Sequence, residues 1–174
     1  MARPGDFVES MGALTLAHRF KRMMSRLLQE ARIVYRELDV PIQPRWCSTL
    51  LLLHEAGPLS VKELAARLRL SHPAVVQIVD AASAAGLVRR GRDANDGRRR
   101  RVALTAEGRR WLPLLRGVWA ELARAQEELF RSAGCDVLSV LDAANRELDE
   151  RPLSGRVLAR LPFQKASPTG EPMP

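Results

Sequence analysis

The sequence predicts a mainly α-helical fold with one small β-hairpin, an α+β class. Three observations predict it. Apolar residues recur at steps of three and four through most of the 174-residue chain. Two short strand-like runs, residues 87–92 and 100–104, flank a stretch of turn residues, Asp93-Ala94-Asn95-Asp96-Gly97-Arg98. Apolar residues are 46% of the chain and charged residues 28%, the balance of a protein that folds around its own core. A chain of this length needs neither disulfides nor a metal to bury that core. No run of about 18 apolar residues is free of charge. The N-terminus lacks an apolar signal core. Neither a membrane span nor a secretory leader is expected, and the chain reads as cytoplasmic.

The elements follow in order. Residues 6–38 are expected to form one long helix. Phe20, Met24, Leu27, Ala31, Val34 and Leu38 alternate in steps of four and three, Asp6 and Glu9 form a capping pair, and Gly12 loosens the first turns. A stripe this long is expected to pack on more than one neighbour, another subunit included. Pro41 and Pro44 break the pattern. A second helix over 44–56 is apolar from Leu50 to Leu53 and so buried on most sides. Gly57-Pro58 ends it, and Leu59 is read as a short strand. Ser60-Val61-Lys62-Glu63 is a capping box that opens a third helix, with Leu64, Ala65 and Leu68 as its apolar stripe. Ser71 opens a fourth, with Pro73 in the first turn, where a missing amide costs nothing. Val75, Ile78, Val79 and Ala82 face the core, and Gly86 ends the helix. After the hairpin, Thr105 caps a helix reaching about residue 131, which Pro113 is expected to kink or restart. A last helix covers about 136–150 and is closed by Pro152. The tail from Pro162 is polar and Pro-rich and reads as disordered.

That order is a winged helix inside a helical frame. It divides the chain into an N-terminal helix (1–40), a winged helix-turn-helix lobe (41–105), C-terminal helices (106–160) and a tail (161–174), the terminal helices being the dimerisation segments that the family resemblance given below implies.

The charge is uneven. The chain carries 28 Lys+Arg against 20 Asp+Glu, a net +8. Nine arginines lie between Arg89 and Arg110, opposed only by Asp93, Asp96 and Glu107, so that one segment holds +6 of the total. A basic cluster on a globular protein points to a polyanion, nucleic acid first. The alternative is a solvated, arginine-rich loop.

Residues 61–76 fit a helix-turn-helix. Two steeply crossed helices need a small residue at the crossing, supplied by Ala65. They also need an apolar anchor from the second helix, supplied by Val75. Leu64, Leu68 and Leu70 are expected to fill the wedge. Where the turn usually has Gly, this chain has Arg69, which must take a positive φ at a cost of about 1 kcal/mol. The face opposite Val75 and Ile78 shows Ser71, His72, Pro73, Val76, Gln77 and Asp80. A helix entering the major groove presents such short polar and small apolar groups to base edges. Gln77 can bond an adenine edge, His72 can donate to guanine or phosphate, and Val76 suits a thymine methyl. The alternative is a solvated face that includes a valine. The hairpin tip adds Arg98, Arg99 and Arg100, beside Arg89 on the preceding strand. Arginine on such a tip can enter a narrow A/T-rich minor groove. Asp93 and Asp96 can hold an arginine in a fixed fork, or simply make the turn.

Four stretches now form a recognisable set: Leu59-Ser60-Val61-Lys62-Glu63-Leu64-Ala65, Leu70-Ser71-His72-Pro73-Ala74-Val75, Ala85-Gly86-Leu87-Val88, and Asp93-Ala94-Asn95-Asp96-Gly97-Arg98 through Ala103-Leu104-Thr105. Together they resemble the MarR family of winged-helix transcriptional regulators over about residues 10–150. Gly12-Ala13-Leu14, Tyr35-Arg36-Glu37-Leu38, Pro44-Arg45-Trp46, Ser71-His72-Pro73 and Arg151-Pro152-Leu153 resemble a subgroup often fused to a C-terminal acetyltransferase domain. This sequence ends where that domain would start, so no acetyltransferase activity is carried over. The resemblance implies sequence-specific binding of double-stranded DNA by a homodimer. In that dimer the terminal helices interlock and each copy places its recognition helix in one half of a pseudo-palindromic operator. It implies a repressor relieved by a small-molecule effector, or by oxidation.

The family's effector pockets lie between the dimer helices and the DNA-binding lobe. Candidates here are His18, Arg22, Arg45, Trp46, Trp111 and Trp119, with Arg45-Trp46 suited to an aromatic acid. The alternative is that the tryptophans are core and Arg45 is surface. A thiol sensor would use Cys47, near Arg45 in sequence, or Cys135. The peroxide-sensing relatives carry their cysteine in the first helix, where this chain has none. His18, His54 and His72 share no metal-ligand spacing, so no metal and no cofactor is expected. There is no phosphate loop, nucleophile elbow or catalytic pair, so no enzyme is expected. A non-specific architectural DNA binder is the remaining alternative.

Overall fold

A computed structural model describes residues 5–92 and 100–161. The chain forms two compact units, one through Leu122 and the other from Ala123, with the boundary inside one long helix.

The first unit opens with α1 (Phe7–Ser10), capped by the Asp6 carboxylate, which accepts from the amides of Val8 and Glu9. The single helix expected over 6–38 is broken. Gly12 takes φ +56°, a short 3-10 turn (Gly12–Thr15) follows, and only then does α2 (Leu16–Glu37) begin. The expected stripe divides as well. Tyr35 and Ala31 are buried, while Phe20, Met24 and Leu38 are exposed. The first unit covers only the second half of α2's apolar face.

A 3-10 turn (Pro44–Trp46) leads into α3 (Cys47–Ala56), whose Leu50 and Leu53 are buried. Then come α4 (Val61–Leu68), α5 (His72–Ala84), β1 (Val88–Arg92) and β2 (Arg100–Leu104). The two strands pair antiparallel, with Arg90 opposite Val102 and Arg92 opposite Arg100. Leu59 adds a third edge through one bridge to Val102, its amide and carbonyl both bonded there at 3.0 and 2.7 Å. The short strand expected at Leu59 is this bridge.

The capping box at Ser60 is present in both directions. Ser60 Oγ accepts from the Glu63 amide at 3.2 Å, and Glu63 accepts from the Ser60 amide at 2.7 Å. Arg69 closes α4 in the left-handed conformation, φ 51° and ψ 40°. Leu64, Val75, Val79 and Ala82 are completely buried and Ile78 nearly so, so α4 and α5 cross on the side chains expected. Leu70 does not fill the wedge. It is 39% exposed, because the left-handed residue before it turns the chain outward.

Thr105 joins the lobe to α6 (Ala106–Ser132). Its hydroxyl accepts from the Gly108 amide at 2.9 Å and donates to the Gly86 carbonyl at 2.6 Å. Pro113 does not restart α6, which is continuous through it. The proline is exposed, and one absent amide bond is tolerated in a helix whose neighbouring turns bury Leu112, Leu115, Val118 and Trp119.

The second unit takes in the end of α6, then α7 (Val137–Glu150), which Asp136 caps at the Ser139 amide. A short helix unforeseen from the sequence, α8 (Leu153–Leu158), follows Pro152. Proline does end α7, but it also serves as an N-cap, with φ suited to a new helix start. Neither α7 nor α8 buries any residue. The tail from Pro162 lies outside the described residues.

Candidate nucleic-acid interface

The site is built on α5 and the base of the hairpin. Val75, Ile78, Val79 and Ala82 anchor one face of α5 in the core. The opposite face then has to point outward, and Ser71, His72, Pro73, Gln77 and Asp80 are all exposed. Ser71 is also the N-cap, its Oγ accepting from the Ala74 amide at 3.3 Å. Its hydroxyl proton remains available for a phosphate. Val76 is not fully exposed, as the sequence reading required. It is half-buried, in a cleft with Val61, Val102 and the arginines at the strand base.

The arginine cluster sorts into two sets. Four members are tied to the protein. Arg90 meets the Asp80 carboxylate at 2.7 Å, linking β1 to α5. Arg101 donates to the Pro58 carbonyl at 2.8 Å and lies 3.8 Å from Glu63. Arg109 donates to the Leu104 carbonyl at 2.9 Å, and Arg110 pairs with Glu107 at 2.8 Å. Arg89 and Arg100 form the other set. They are exposed and make no hydrogen bond or ion pair with any described residue. Their charges are available to an external anion. The turn with Asp93, Asp96, Arg98 and Arg99 lies outside the described residues.

The fasteners Asp80–Arg90 and Arg101–Pro58 were missed by sequence reasoning. They join residues 10 and 43 positions apart, and no local periodicity reports such a pair. They tie the strand base to α5 and to the segment before α4, on the side where Arg89, Arg100 and the outward face of α5 are exposed.

Comparison with known proteins bears on the same region. Residues 38–99, which begin just after α2 and take in the helix-turn-helix, are similar to the MarR family. No curated protein matches this chain. Among solved structures it is similar to the transcriptional regulator BldR from Sulfolobus solfataricus, with 26% identity and a TM-score of 0.58 over 79% of this chain and 94% of that one. It shares its fold with PcaV from Streptomyces coelicolor, solved with its natural ligand. That match has 20% identity and a TM-score of 0.59 over 86% of this chain and 98% of the other. It also shares its fold with the S. aureus MepR–DNA complex, with 20% identity and a TM-score of 0.57 over 83% and 97%.

The six effector candidates are not brought together. His18 and Arg22 border one shallow groove along α2, with Lys21 and Arg26. Arg22 is paired with Asp6 at 2.7 Å, which holds that carboxyl below its usual range. Trp46 and Trp119 are core residues, and Trp119 Nε1 donates to the Tyr35 hydroxyl at 2.9 Å. Trp111 is half-buried and bonded to Glu107. Arg45 is exposed, its Nε donating to Gln43 at 2.9 Å. Arg45 and Trp46 point to different sides, because neighbours in a 3-10 turn lie about 120° apart and only Trp46 meets the core. Indole rings bury 150–250 Å² each, so the core claims them.

Cys47 is half-buried, and burial pushes its thiol up to about 11. A sensor thiol needs the reverse shift. Cys135 lies in the turn between α6 and α7. Among the described residues no group of three or more His, Cys, Asp or Glu could hold a metal, and no helix is long and apolar enough to cross a membrane.

Proposed function

We propose that this chain is a MarR-family regulator that binds double-stranded DNA sequence-specifically, as a homodimeric repressor on a pseudo-palindromic operator relieved by a small-molecule effector. One observation carries the reading. α5 is buried along one face and presents Ser71, His72, Gln77 and half-buried Val76 on the other, beside Arg89 and Arg100, which have no partner among the described residues. The polar face of α5 reads base edges, and the arginines hold the duplex by its phosphates. Arg98 and Arg99, next in sequence to Arg100, are assigned to DNA contact in the same reading.

The homodimer is supported by apolar surface that each unit leaves uncovered. Phe7, Leu14 and Met24 are 74%, 78% and 55% exposed in the first unit. Leu138, Leu153 and Leu158 are 59%, 63% and 70% exposed in the second. Large apolar side chains left this exposed on a helix are candidates for burial against a second copy. Segments 1–40 and 106–160 are the dimerisation segments in this reading, and 41–105 is the DNA-binding lobe. PcaV was solved with its natural ligand and MepR with DNA, which supports both inputs for this chain. The protein works in the cytoplasm, by binding and not by catalysis.

The test is selection of bound duplexes from a random library with the full chain. A two-fold-symmetric motif with half-sites about one helical turn apart is expected. Equal retention of all sequences at physiological salt would instead make the chain an architectural binder.

A further inference from the structure

We propose that Arg69, in the turn of the helix-turn-helix, is a DNA phosphate contact, a third attachment point beside the recognition helix and the strand-base arginines. The proposal rests on the DNA-binding reading of α5. Arg69 has φ 51° and ψ 40°, with its amide bonded back to the end of α4. Glycine occupies this left-handed region freely, whereas a residue with a Cβ is strained there. Asp39, with φ 53°, is the other non-glycine residue in this region among those described. A short polar side chain such as aspartate tolerates the conformation. Arginine has no such local help.

The guanidinium of Arg69 is exposed and makes no hydrogen bond or ion pair with any described residue. Nothing in the described fold offsets the strained turn, so a partner outside the fold is the physical reason for the side chain. The surroundings state what that partner is. α4 also exposes Lys62 and Arg67, while its one acid, Glu63, is engaged in the capping box and faces Arg101. The residues that follow, Leu70, Ser71 and His72, are exposed and lead straight into the recognition helix. In a helix-turn-helix the first helix crosses the sugar–phosphate backbone as the second enters the groove. The turn between them therefore sits at the groove edge, where the nearest anion is a phosphate.

The test compares the wild-type chain with Arg69→Gly and Arg69→Lys. Each is melted, and each is titrated with two unrelated fluorescent duplexes across a NaCl series. Arg69→Gly is expected to melt higher than wild type. It is also expected to bind both duplexes roughly three- to tenfold more weakly, with the slope of log affinity against log salt shallower by about one. Arg69→Lys is expected to keep the wild-type slope. Wild-type affinity and slope in Arg69→Gly would overturn the proposal, and so would a loss confined to one duplex, the mark of a base contact. A lower melting temperature in Arg69→Gly would overturn the strain argument. A wild-type chain that binds neither duplex at any salt would instead remove the DNA-binding reading beneath it.

Discussion

Gly108, in the first turn of α6, lies against the main chain of Leu87, so closely that a Cβ there would overlap the Leu87 carbonyl oxygen. That carbonyl already accepts from the Thr105 amide at 3.0 Å, and Thr105 is bonded to Gly86 as well. The start of α6 is thereby locked onto the turn that follows α5. Gly108→Ala is expected to destabilise the protein by about 3 kcal/mol, since the obstacle is backbone and cannot rotate away. Gly117→Ala, in the same helix with open space around it, is expected to be neutral or to stabilise by up to about 1 kcal/mol. Thermal or denaturant unfolding of the two variants makes the comparison.

Tyr35 and Trp119 share a buried hydrogen bond across 84 positions of sequence. Tyr35→Phe removes the acceptor and leaves the indole N–H buried without one. A loss of about 1–3 kcal/mol is expected. A melting temperature equal to wild type would show that the bond contributes nothing.

Hydrogen bonds from Ser60, reinforced by the charges of Arg101 and Arg67, hold the Glu63 carboxyl below its usual range. The folded chain therefore favours the ionised form. The gain is present above the ordinary glutamate range and is lost as the pH falls through the lowered value. The stability difference between wild type and Glu63→Gln should be largest near neutral pH and vanish in strong acid. Chemical denaturation at a series of pH values tests this. A difference that does not change with pH would mean the carboxylate has no special role at the cap.

Gln77 and Arg100 should fail in different ways. Gln77→Ala is expected to relax base preference at one position per half-site, read from the selected consensus. Arg100→Ala is expected to weaken binding to every sequence alike and make the salt slope shallower by about one. If both variants lose affinity uniformly, the assignment of Gln77 to base readout fails.

The Cys47 thiol, raised to about 11 by burial, holds very little thiolate at neutral pH. Alkylation of Cys47 in the native chain should be roughly a hundredfold slower than in the unfolded chain, followed by peptide mass analysis. Rapid native modification would reopen the thiol-sensing reading.

Sequence alone determined the elements whose causes are local. The Ser60 capping box, the buried face of α5 from Val75 to Ala82, the two strands, and the positive φ at Arg69 all follow from contacts within a few residues. Periodicity and capping chemistry report such contacts. The outward face of α5 was legible for the same reason: once one side of a helix is apolar, its other side is known.

Tertiary structure decided what depends on residues far apart in the chain. It separated the arginines tied to protein, Arg90, Arg101, Arg109 and Arg110, from Arg89 and Arg100, which pair with no described residue. Composition counts all of them alike. It placed Trp46 and Trp119 in the core and His18 and Arg22 on a surface groove, a separation that residue types alone do not report. It left the apolar stripe of α2 half open, where periodicity could say only that something must cover it. Helical and strand periods encode which face a residue is on. They do not encode which partner meets that face, because that partner is set by the folding of distant segments onto one another.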